Sequence, residues 1–212
     1  LPPVKKRNLK IRFPDPVRTG DIALRAEGVS KAFDDHKVFQ NIEFIVERGE
    51  SFIVIGHNGA GKTTLLRCIA SKYQPDSGTL KLGANVTLGF YAQEHEDIPR
   101  GKTVLELMYE AAGTGATQTE LRALLGHFGL TGDVGDQEAV TLSGGEKTKL
   151  SLARLVAGKA NVLLLDEPTN NLDVGSREAL AGALQNYKGT IILVSHDLEF
   201  VTQLSPQRAI MM

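Results

Sequence analysis

The sequence predicts an α/β fold in which a parallel sheet is covered by helices, an antiparallel β segment comes first, and a helical insert divides the sheet. Residues 162–165 and 191–194 are short runs of apolar side chains, and stretches typical of helices lie around them. Strands that are apolar on both faces and alternate with helices belong to buried parallel sheets. Between residues 22 and 55, short apolar segments alternate with turns instead, which favours an antiparallel β-rich start.

The first part of the chain holds most of the predicted strands. Residues 1–20 are rich in proline and basic side chains, and we interpret them as the end of a linker that precedes a domain over residues 21–212. Apolar patterning predicts strands over 22–26, 42–46 and 52–55, a helix over 63–71, and a hairpin of two strands over 79–82 and 86–90.

Residues 94–155 differ in character and are predicted to form the helical insert. Apolar residues at helical spacing mark one helix, and Thr117 with Glu120 forms the capping-box signature that starts the next. Another helix is expected from about Gly144. The apolar residues 209–212 predict one more strand.

Composition restricts the classes of function. A net charge of −1 over 212 residues gives the domain no broad attraction for nucleic acid or anionic lipid. No apolar run approaches the ~20 residues needed to cross a bilayer, so we expect no direct membrane insertion. The single cysteine, Cys68, excludes an intrachain disulfide and fits a cytoplasmic protein. Because the chain starts with Leu1 and ends in a predicted strand, we expect it to be part of a longer protein.

Residues 56–63 match the pattern G-x-x-x-x-G-K-T, which is typical of a phosphate-binding loop, the P-loop. Glycines let backbone N–H groups approach phosphates without side chains in the way, and the helix that follows adds its positive N-terminal end. Lys62 is expected to reach the β- and γ-phosphates of a nucleotide, and the Thr63 hydroxyl to ligate Mg²⁺. The alternative is a glycine-rich turn before a helix, which the strand predicted directly before the loop disfavours.

Two carboxylates, Asp166 and Glu167, follow the apolar run 162–165. Alongside a P-loop, Asp166 is expected to hold Mg²⁺ and Glu167 to accept a proton from an attacking water. An acidic pair after a strand is otherwise typical of a helix N-cap, and the adjacent Pro168 fits that alternative.

Residues 142–146 read Leu-Ser-Gly-Gly-Glu. Ser143 and Glu146 predict a capped helix, but they do not explain Gly144 and Gly145, since glycine is unfavourable in a helical turn. Bare N–H groups at a helix start form an anion site. One ATP has no need for a second phosphate cradle in the same chain, so this cradle is expected to serve the nucleotide of another chain.

Two further polar residues are candidates for the site. His196 follows the run 191–194, so it is expected to meet the P-loop and Asp166 at the carboxyl edge of a parallel sheet, where ligands bind. Without that placement, a lone histidine is more often a surface or core residue. Gln93 is the other candidate, although its pattern is also that of an ordinary loop glutamine.

Together these residues resemble the ABC ATPase family, and their order and spacing match it from about Ile22 to the end of the chain. The resemblance implies a P-loop NTPase core, ATP and Mg²⁺ as ligands, and a second ABC ATPase domain as a head-to-tail partner. It implies ATP contacts by Phe33, stacked on adenine, and by Gly56, His57, Asn58, Gly59, Ala60, Gly61, Lys62, Thr63 and Thr64. It also implies Mg²⁺ contacts by Thr63, Gln93 and Asp166, catalysis by Glu167 and His196, and contacts to the partner's ATP by Ser143, Gly144, Gly145, Glu146 and Asp173.

Within that family, residues 142–149 and 164–173 resemble the ABC-F subfamily, soluble paired ATPases that act on ribosomes. The resemblance implies the second ATPase domain of a cytoplasmic protein that regulates translation or protects the ribosome from antibiotics, with weak hydrolysis by the isolated domain. Asn171 departs from the histidine more usual there, and Phe33 replaces a commoner tyrosine. The basic residues of the start either continue a ribosome-facing linker or form a solvated arm: Lys5, Lys6, Arg7, Lys10 and Arg12.

Two other functions are compatible with parts of this pattern. The ATPase subunit of a membrane transporter has the same chemistry and a membrane protein as its partner. A nucleotide-sensing module that does not hydrolyse ATP is the second alternative, and the presence of Glu167 argues against it.

Overall fold

The computed structural model describes residues 10–92 and 98–212. The chain divides into two compact units. We call them the sheet unit, which comprises Asp15–Gln93, Ala160–Pro168 and Lys188–Met212, and the helical unit, which comprises the remaining segments Leu1–Pro14, Glu94–Lys159 and Thr169–Tyr187.

The sheet unit contains all eight strands of the described chain. They are β1 (Ile22–Phe33), β2 (His36–Glu47), β3 (Ser51–Ile55), β4 (Ser77–Leu82), β5 (Leu88–Tyr91), β6 (Val162–Asp166), β7 (Thr190–Val194) and β8 (Arg208–Met211). Five of them form a parallel sheet in the order β5-β6-β7-β3-β8. The other three form an antiparallel sheet in the order β2-β1-β4, so the predicted mixed architecture is confirmed.

The predicted hairpin over 79–82 and 86–90 is wrong. β4 pairs with β1, whereas β5 pairs with β6 in the parallel sheet. Asn161 explains the separation, because its amide nitrogen donates to Asn85 O at 2.8 Å and its Oδ1 accepts from Thr87 N at 2.7 Å. These bonds hold the connection beside the start of β6, so the chain crosses to the second sheet instead of turning back.

The core of the sheet unit explains why its central strands are apolar on both faces. Every residue of β6 and β7 is buried. Leu164 of β6 and Ile192 of β7 belong to one apolar cluster with Leu65 and Leu66 of helix α1 (Lys62–Ile69). Burial of such side chains contributes roughly 25 cal/mol per Å² of apolar surface. A second helix of this unit, which we number α6, covers Leu198–Leu204.

The helical unit contains the predicted insert. Its helices are α2 (Val104–Ala112), α3 (Gln118–His127), α4 (Gly144–Ala157) and α5 (Val174–Gln185), with short 3₁₀ turns at Gly132–Asp136 and Ala139–Thr141. Capping boxes begin α2, α3 and α4, with Thr103, Thr117 and Ser143 as the N-caps. The boxes inferred at Thr117 and Ser143 from sequence spacing are therefore present.

The segment before β1 is shared between the two units. Within the helical unit, the ring of Phe13 lies 5.3 Å from that of Tyr187, and Lys10 N donates to His127 O at 3.2 Å. Within the sheet unit, Gly20 N donates to Ala84 O at 3.0 Å. The basic residues Lys5, Lys6 and Arg7 lie outside the described residues, and the assignment of 1–20 to a linker stays a prediction.

None of the helices in the described parts of the chain combines the length and the apolar character that crossing a bilayer requires.

The capping boxes should make the helical unit sensitive to acid. The amide and hydroxyl of Thr117 donate to the Glu120 carboxylate and lower its pKa. A carboxyl group with a depressed folded-state pKa stabilises the fold above its unfolded pKa of about 4.3, and that contribution is lost as pH falls through the lower, folded value. Glu120→Ala should therefore lower the melting temperature at pH 7, and the difference from wild type should shrink towards pH 3. Gln118→Ala, an exposed neighbour outside the box, is the control and should show no such pH dependence.

Candidate functional site

The loop between β3 and α1 requires glycine at two of its positions. Gly59 has φ 82° and Gly61 has φ 90°, values that other residues rarely adopt. A Cβ on Gly61 would also lie 2.5 Å from Val38 Cγ1 and 3.0 Å from Phe39 Cδ1. The backbone of the predicted P-loop is therefore shaped by glycine for reasons of conformation and of packing.

The start of α1 is open to an anion. Its N-cap is Gly61, and no side chain in the described chain caps the first turn, which holds Lys62, Thr63 and Thr64. Uncapped N–H groups and the helix dipole favour a phosphate or a similar anion at this end.

Lys62 folds back over the loop that precedes it. Its side chain is buried, and Nζ donates to Gly56 O at 2.9 Å and to His57 O at 2.8 Å. An ammonium group has three N–H donors. Two of them hold the loop, and we find no partner among the described residues for the third, which can serve a ligand.

Asp166 ends β6 as a buried carboxylate without a hydrogen-bond partner in the described residues. Burial raises its pKa, and neighbouring Glu167 adds to the rise. The Thr63 hydroxyl and the cations of Arg67 and Lys62 oppose that rise, although no regular hydrogen bond from Thr63 forms. A buried carboxylate that lacks a partner is costly unless a ligand supplies one.

The donor set at Asp166 fits Mg²⁺. This cation prefers oxygen ligands and usually keeps several waters while binding one or two carboxylates and substrate phosphates. The described residues hold no cluster of three or more histidine, cysteine, aspartate or glutamate side chains that could bind a metal without help. Asp166 and the nearby Thr63 hydroxyl would therefore hold the ion together with phosphate oxygens and water.

Glu167 and His196 lie side by side at the ends of β6 and β7. Glu167 Oε2 accepts from His196 N at 3.1 Å, and Oε1 lies 3.4 Å from His196 Nε2. Glu167 N also donates to Val194 O at 2.9 Å, which fixes the turn. The backbone of Glu167 has φ 49°, a left-handed value that is uncommon outside glycine. The structure thus brings these two predicted residues together, and Glu167 Oε1 lacks a regular hydrogen bond within the described chain.

The other predicted site residues of the sheet unit differ in how far they are exposed. His57 and Asn58 are exposed on the loop, and Gly56 and Ala60 are partly buried. Phe33 ends β1, and 43% of the residue is exposed. Gln93 lies outside the described residues.

The helical unit carries the Leu-Ser-Gly-Gly-Glu segment at the start of α4. Ser143 Oγ donates to Glu146 Oε2 at 2.6 Å, and the bonds from Ser143 lower the pKa of Glu146. Among the described residues, a Cβ on Gly144 would meet nothing within 4 Å, and one on Gly145 only Asn171 O at 3.9 Å. Neither glycine is required by packing against the described residues, so side chains do not crowd the start of α4 there.

Asp173 lies in the same unit as the N-cap of α5. Its Oδ1 accepts from Ser176 N at 2.9 Å, and its Oδ2 accepts from Ser176 Oγ at 2.9 Å. The sequence pattern alone did not indicate this capping role.

Sequence reasoning missed the residues around Phe33. The ring of Tyr73 lies nearly perpendicular to that of Phe33, and Lys31, paired with Asp76, lies over the Phe33 ring. Phe33 is distant in the chain from both Tyr73 and Asp76, and no periodicity or motif links it to them.

Comparison with known proteins agrees with this geometry. Residues 39–170 match the family model described as ABC transporter. Over 201 residues the chain is 41% identical to the probable ATP-binding protein YbiT of Escherichia coli O157:H7, covering 94% of this chain and 38% of that protein. It is 36% identical to the energy-dependent translational throttle protein EttA of Escherichia coli K12, covering 95% and 37%, and 36% identical to ABC transporter F family member 5 of Arabidopsis thaliana, covering 95% and 29%. The chain thus spans less than two fifths of the length of these relatives.

Solved structures agree on the fold. A bacterial Atm1-family ABC exporter with ATP bound superposes with a TM-score of 0.77 at 22% identity, covering 95% of this chain and 40% of that chain. A dimeric bacterial ABC transporter cassette gives a TM-score of 0.73 at 21% identity, covering 89% and 94%. The glycine-shaped loop, the buried carboxylates and these matches lead to one conclusion: the chain belongs to the ABC transporter family, as one of its ATP-binding cassettes.

Proposed function

We propose that this chain binds Mg-ATP and hydrolyses it as the second ATPase domain of an ABC-F protein that acts on the ribosome. The observation that carries the proposal is the pair of buried carboxylates, Asp166 and Glu167, at the end of β6. β3, which leads into the P-loop, and β7, which leads to His196, are the next strands of the same parallel sheet. The phosphate-binding and acidic groups therefore share one carboxyl edge.

Within this site, binding and proton transfer fall to different residues. The open N-terminus of α1 and the ammonium of Lys62 bind the β- and γ-phosphates, and Phe33 stacks on adenine. Thr63 and Asp166 would hold Mg²⁺, which would supply positive charge near the transferred phosphoryl group. Glu167 Oε1 takes a proton from the water whose oxygen attacks the γ-phosphorus, and ADP leaves. His196 orients Glu167 through its backbone N–H and contacts the γ-phosphate.

The ribosome is proposed from the relatives and from the resemblance of residues 142–149 and 164–173. One relative is named a translational throttle and another a member of an ABC F family. The transporter structures superpose at 21–22% identity, which bears on the fold alone and does not favour a transporter partner. We infer that the longer protein works in the cytoplasm, where it regulates translation or protects the ribosome from antibiotics.

The partner of this domain is proposed to be a second ATPase domain in a head-to-tail arrangement. No side chain of the described residues crowds Gly144 or Gly145. The Glu146 carboxylate already accepts a hydrogen bond from the Ser143 hydroxyl at the start of the same helix. The N–H groups at the start of α4, with Asp173, would complete the site of the partner's ATP. A cassette of the same fold is described as dimeric, which supports pairing with a second domain and leaves its orientation to the test below.

Glu167→Gln should separate binding from hydrolysis. The amide keeps the shape of the side chain but cannot accept the proton, so we expect unchanged ATP affinity and hydrolysis slower by about 10²–10⁴-fold. Lys62→Ala is the comparator and should lose tight ATP binding itself. Calorimetry with Mg-ATP and a phosphate-release assay on the full-length protein provide the two readouts. Hydrolysis by Glu167→Gln within twofold of wild type would show that Glu167 is not the base.

Ribosome association should depend on the nucleotide state of the full-length protein. Glu167→Gln holds ATP without hydrolysing it, so we expect it to co-sediment with ribosomes in ATP more strongly than in ADP. Lys62→Ala, which cannot hold ATP, should show no such difference. Absence of co-sedimentation in both nucleotide states would remove the ribosome from the proposal and leave the ATPase assignment intact.

Ser143→Arg should prevent the two domains from closing on ATP. A large cation at the start of α4 blocks the approach of the partner's nucleotide, so turnover at the partner's site should fall by about 10²-fold or more. Nucleotide affinity at Lys62 should stay near wild type. Thr117→Arg removes the equivalent N-cap of α3 and controls for loss of capping alone, so it should preserve turnover. Equal turnover in Ser143→Arg and Thr117→Arg would contradict the head-to-tail arrangement.

A further inference from the structure

The ring of Phe33 is partly exposed and is surrounded by Lys31 of the same strand and by Tyr73 and Asp76, which follow α1. We propose that Lys31, Tyr73 and Asp76 position this ring so that one of its faces is left for the adenine base, an inference that rests on the function proposed above. They are positioning residues, since they act on the nucleotide only through Phe33.

Tyr73 packs against the Phe33 ring at nearly a right angle. Its ring centroid lies 5.4 Å from that of Phe33, and the two planes meet at 78°. Edge-to-face geometry at this distance is favourable because the positive edge of one ring meets the negative face of the other. Tyr73 is itself fixed, since Arg67 donates from Nη1 to its hydroxyl at 3.2 Å and lies 5.8 Å from its ring centroid.

Lys31 covers a face of the Phe33 ring. Its Nζ lies 5.2 Å from the ring centroid, within the range of a cation–π interaction. Only 13% of the Lys31 side chain is exposed, so the ammonium is held in place and does not move freely in solvent. A face covered by this ammonium is closed to a stacked base.

Asp76 anchors the two residues that directly precede Phe33. Its Oδ1 accepts from Lys31 Nζ at 2.7 Å, and its Oδ2 accepts from Ala32 N at 2.6 Å. The Lys31 bond and the Ala32 bond both lower the pKa of Asp76, so the carboxylate is charged at neutral pH. One side chain thus fixes the cation above the ring and the backbone just before it.

These contacts fix a side chain that remains partly exposed. Phe33 is 43% exposed, so its burial contributes less than that of a core phenylalanine. A ring fixed before the ligand arrives loses less conformational freedom on binding, which increases affinity for the group that stacks on it. The group is flat and aromatic, and in Mg-ATP only the adenine base meets that description.

The test compares two ligands that differ in the base. Mg-ATP and inorganic tripolyphosphate share the phosphate contacts, but only ATP can stack on Phe33. Calorimetry on the purified protein should show that Tyr73→Leu weakens ATP binding by about two- to tenfold, the effect expected from loss of one aromatic pair. Tripolyphosphate binding should stay unchanged, and Tyr73→Phe, which keeps the ring, should bind ATP nearly as wild type does.

Asp35→Asn is the matched control for charge. It removes a carboxylate from the exposed turn of the same β1–β2 hairpin, where Asp35 forms no hydrogen bond or ion pair with the described residues, and should leave both affinities unchanged. Asp76→Asn should weaken ATP binding and not tripolyphosphate binding, because it removes the charge that holds Lys31. Melting curves for each variant show whether it is folded.

The outcomes separate this inference from the proposed function. A wild-type protein that binds neither ligand contradicts the proposed function. A wild type that binds both, with Tyr73→Leu weakening both equally or neither, supports the ATP site and overturns the positioning role. Selective loss of ATP binding in Tyr73→Leu, with tripolyphosphate unaffected, is the result that supports it.

Discussion

Burial of acidic side chains at the end of β6 is the constraint on which the rest of the sheet unit depends. β6 is buried along its whole length, and Asp166 continues that burial with a carboxylate that finds no hydrogen bond in the described chain. Such a group is tolerated when a ligand completes it. Lys62 and Thr63 lie near this carboxylate, and both influence its pKa. The P-loop, the parallel sheet and the acidic pair are therefore parts of one arrangement that a phosphate and a cation would complete.

The two units use glycine for different reasons. In the sheet unit, Gly61 is required because a side chain there would collide with Val38 and because φ is positive. In the helical unit, neither a collision nor a positive φ requires glycine at position 144, since a Cβ there would meet none of the described residues. Glycines required by the fold and glycines left open at a surface look identical in a sequence, and only the structure separates them.

Much of the fold and of the candidate site could be predicted from the sequence, because the signals were local. The apolar runs of β6 and β7, the P-loop pattern and the capping boxes each depend on residues a few positions apart. The hairpin prediction failed because the path of residues 83–87 depends on Asn161, which is distant in the chain. The Asn161 side chain forms three hydrogen bonds there. The contact between Phe33 and Tyr73 was missed for the same reason. The pairing of Glu167 with His196 could be placed at a shared sheet edge, but its geometry could not be anticipated.

The backbone at Glu167 has a consequence for how this chain can change. A non-glycine residue in the left-handed region stores about 1 kcal/mol or more of strain. Glycine would relieve that strain while keeping the turn, so a chain optimised only for thermal stability would place glycine there. At this position thermal stability therefore competes with the proposed role of Glu167 as a general base, and stability-based redesign of this cassette should leave the glutamate untouched.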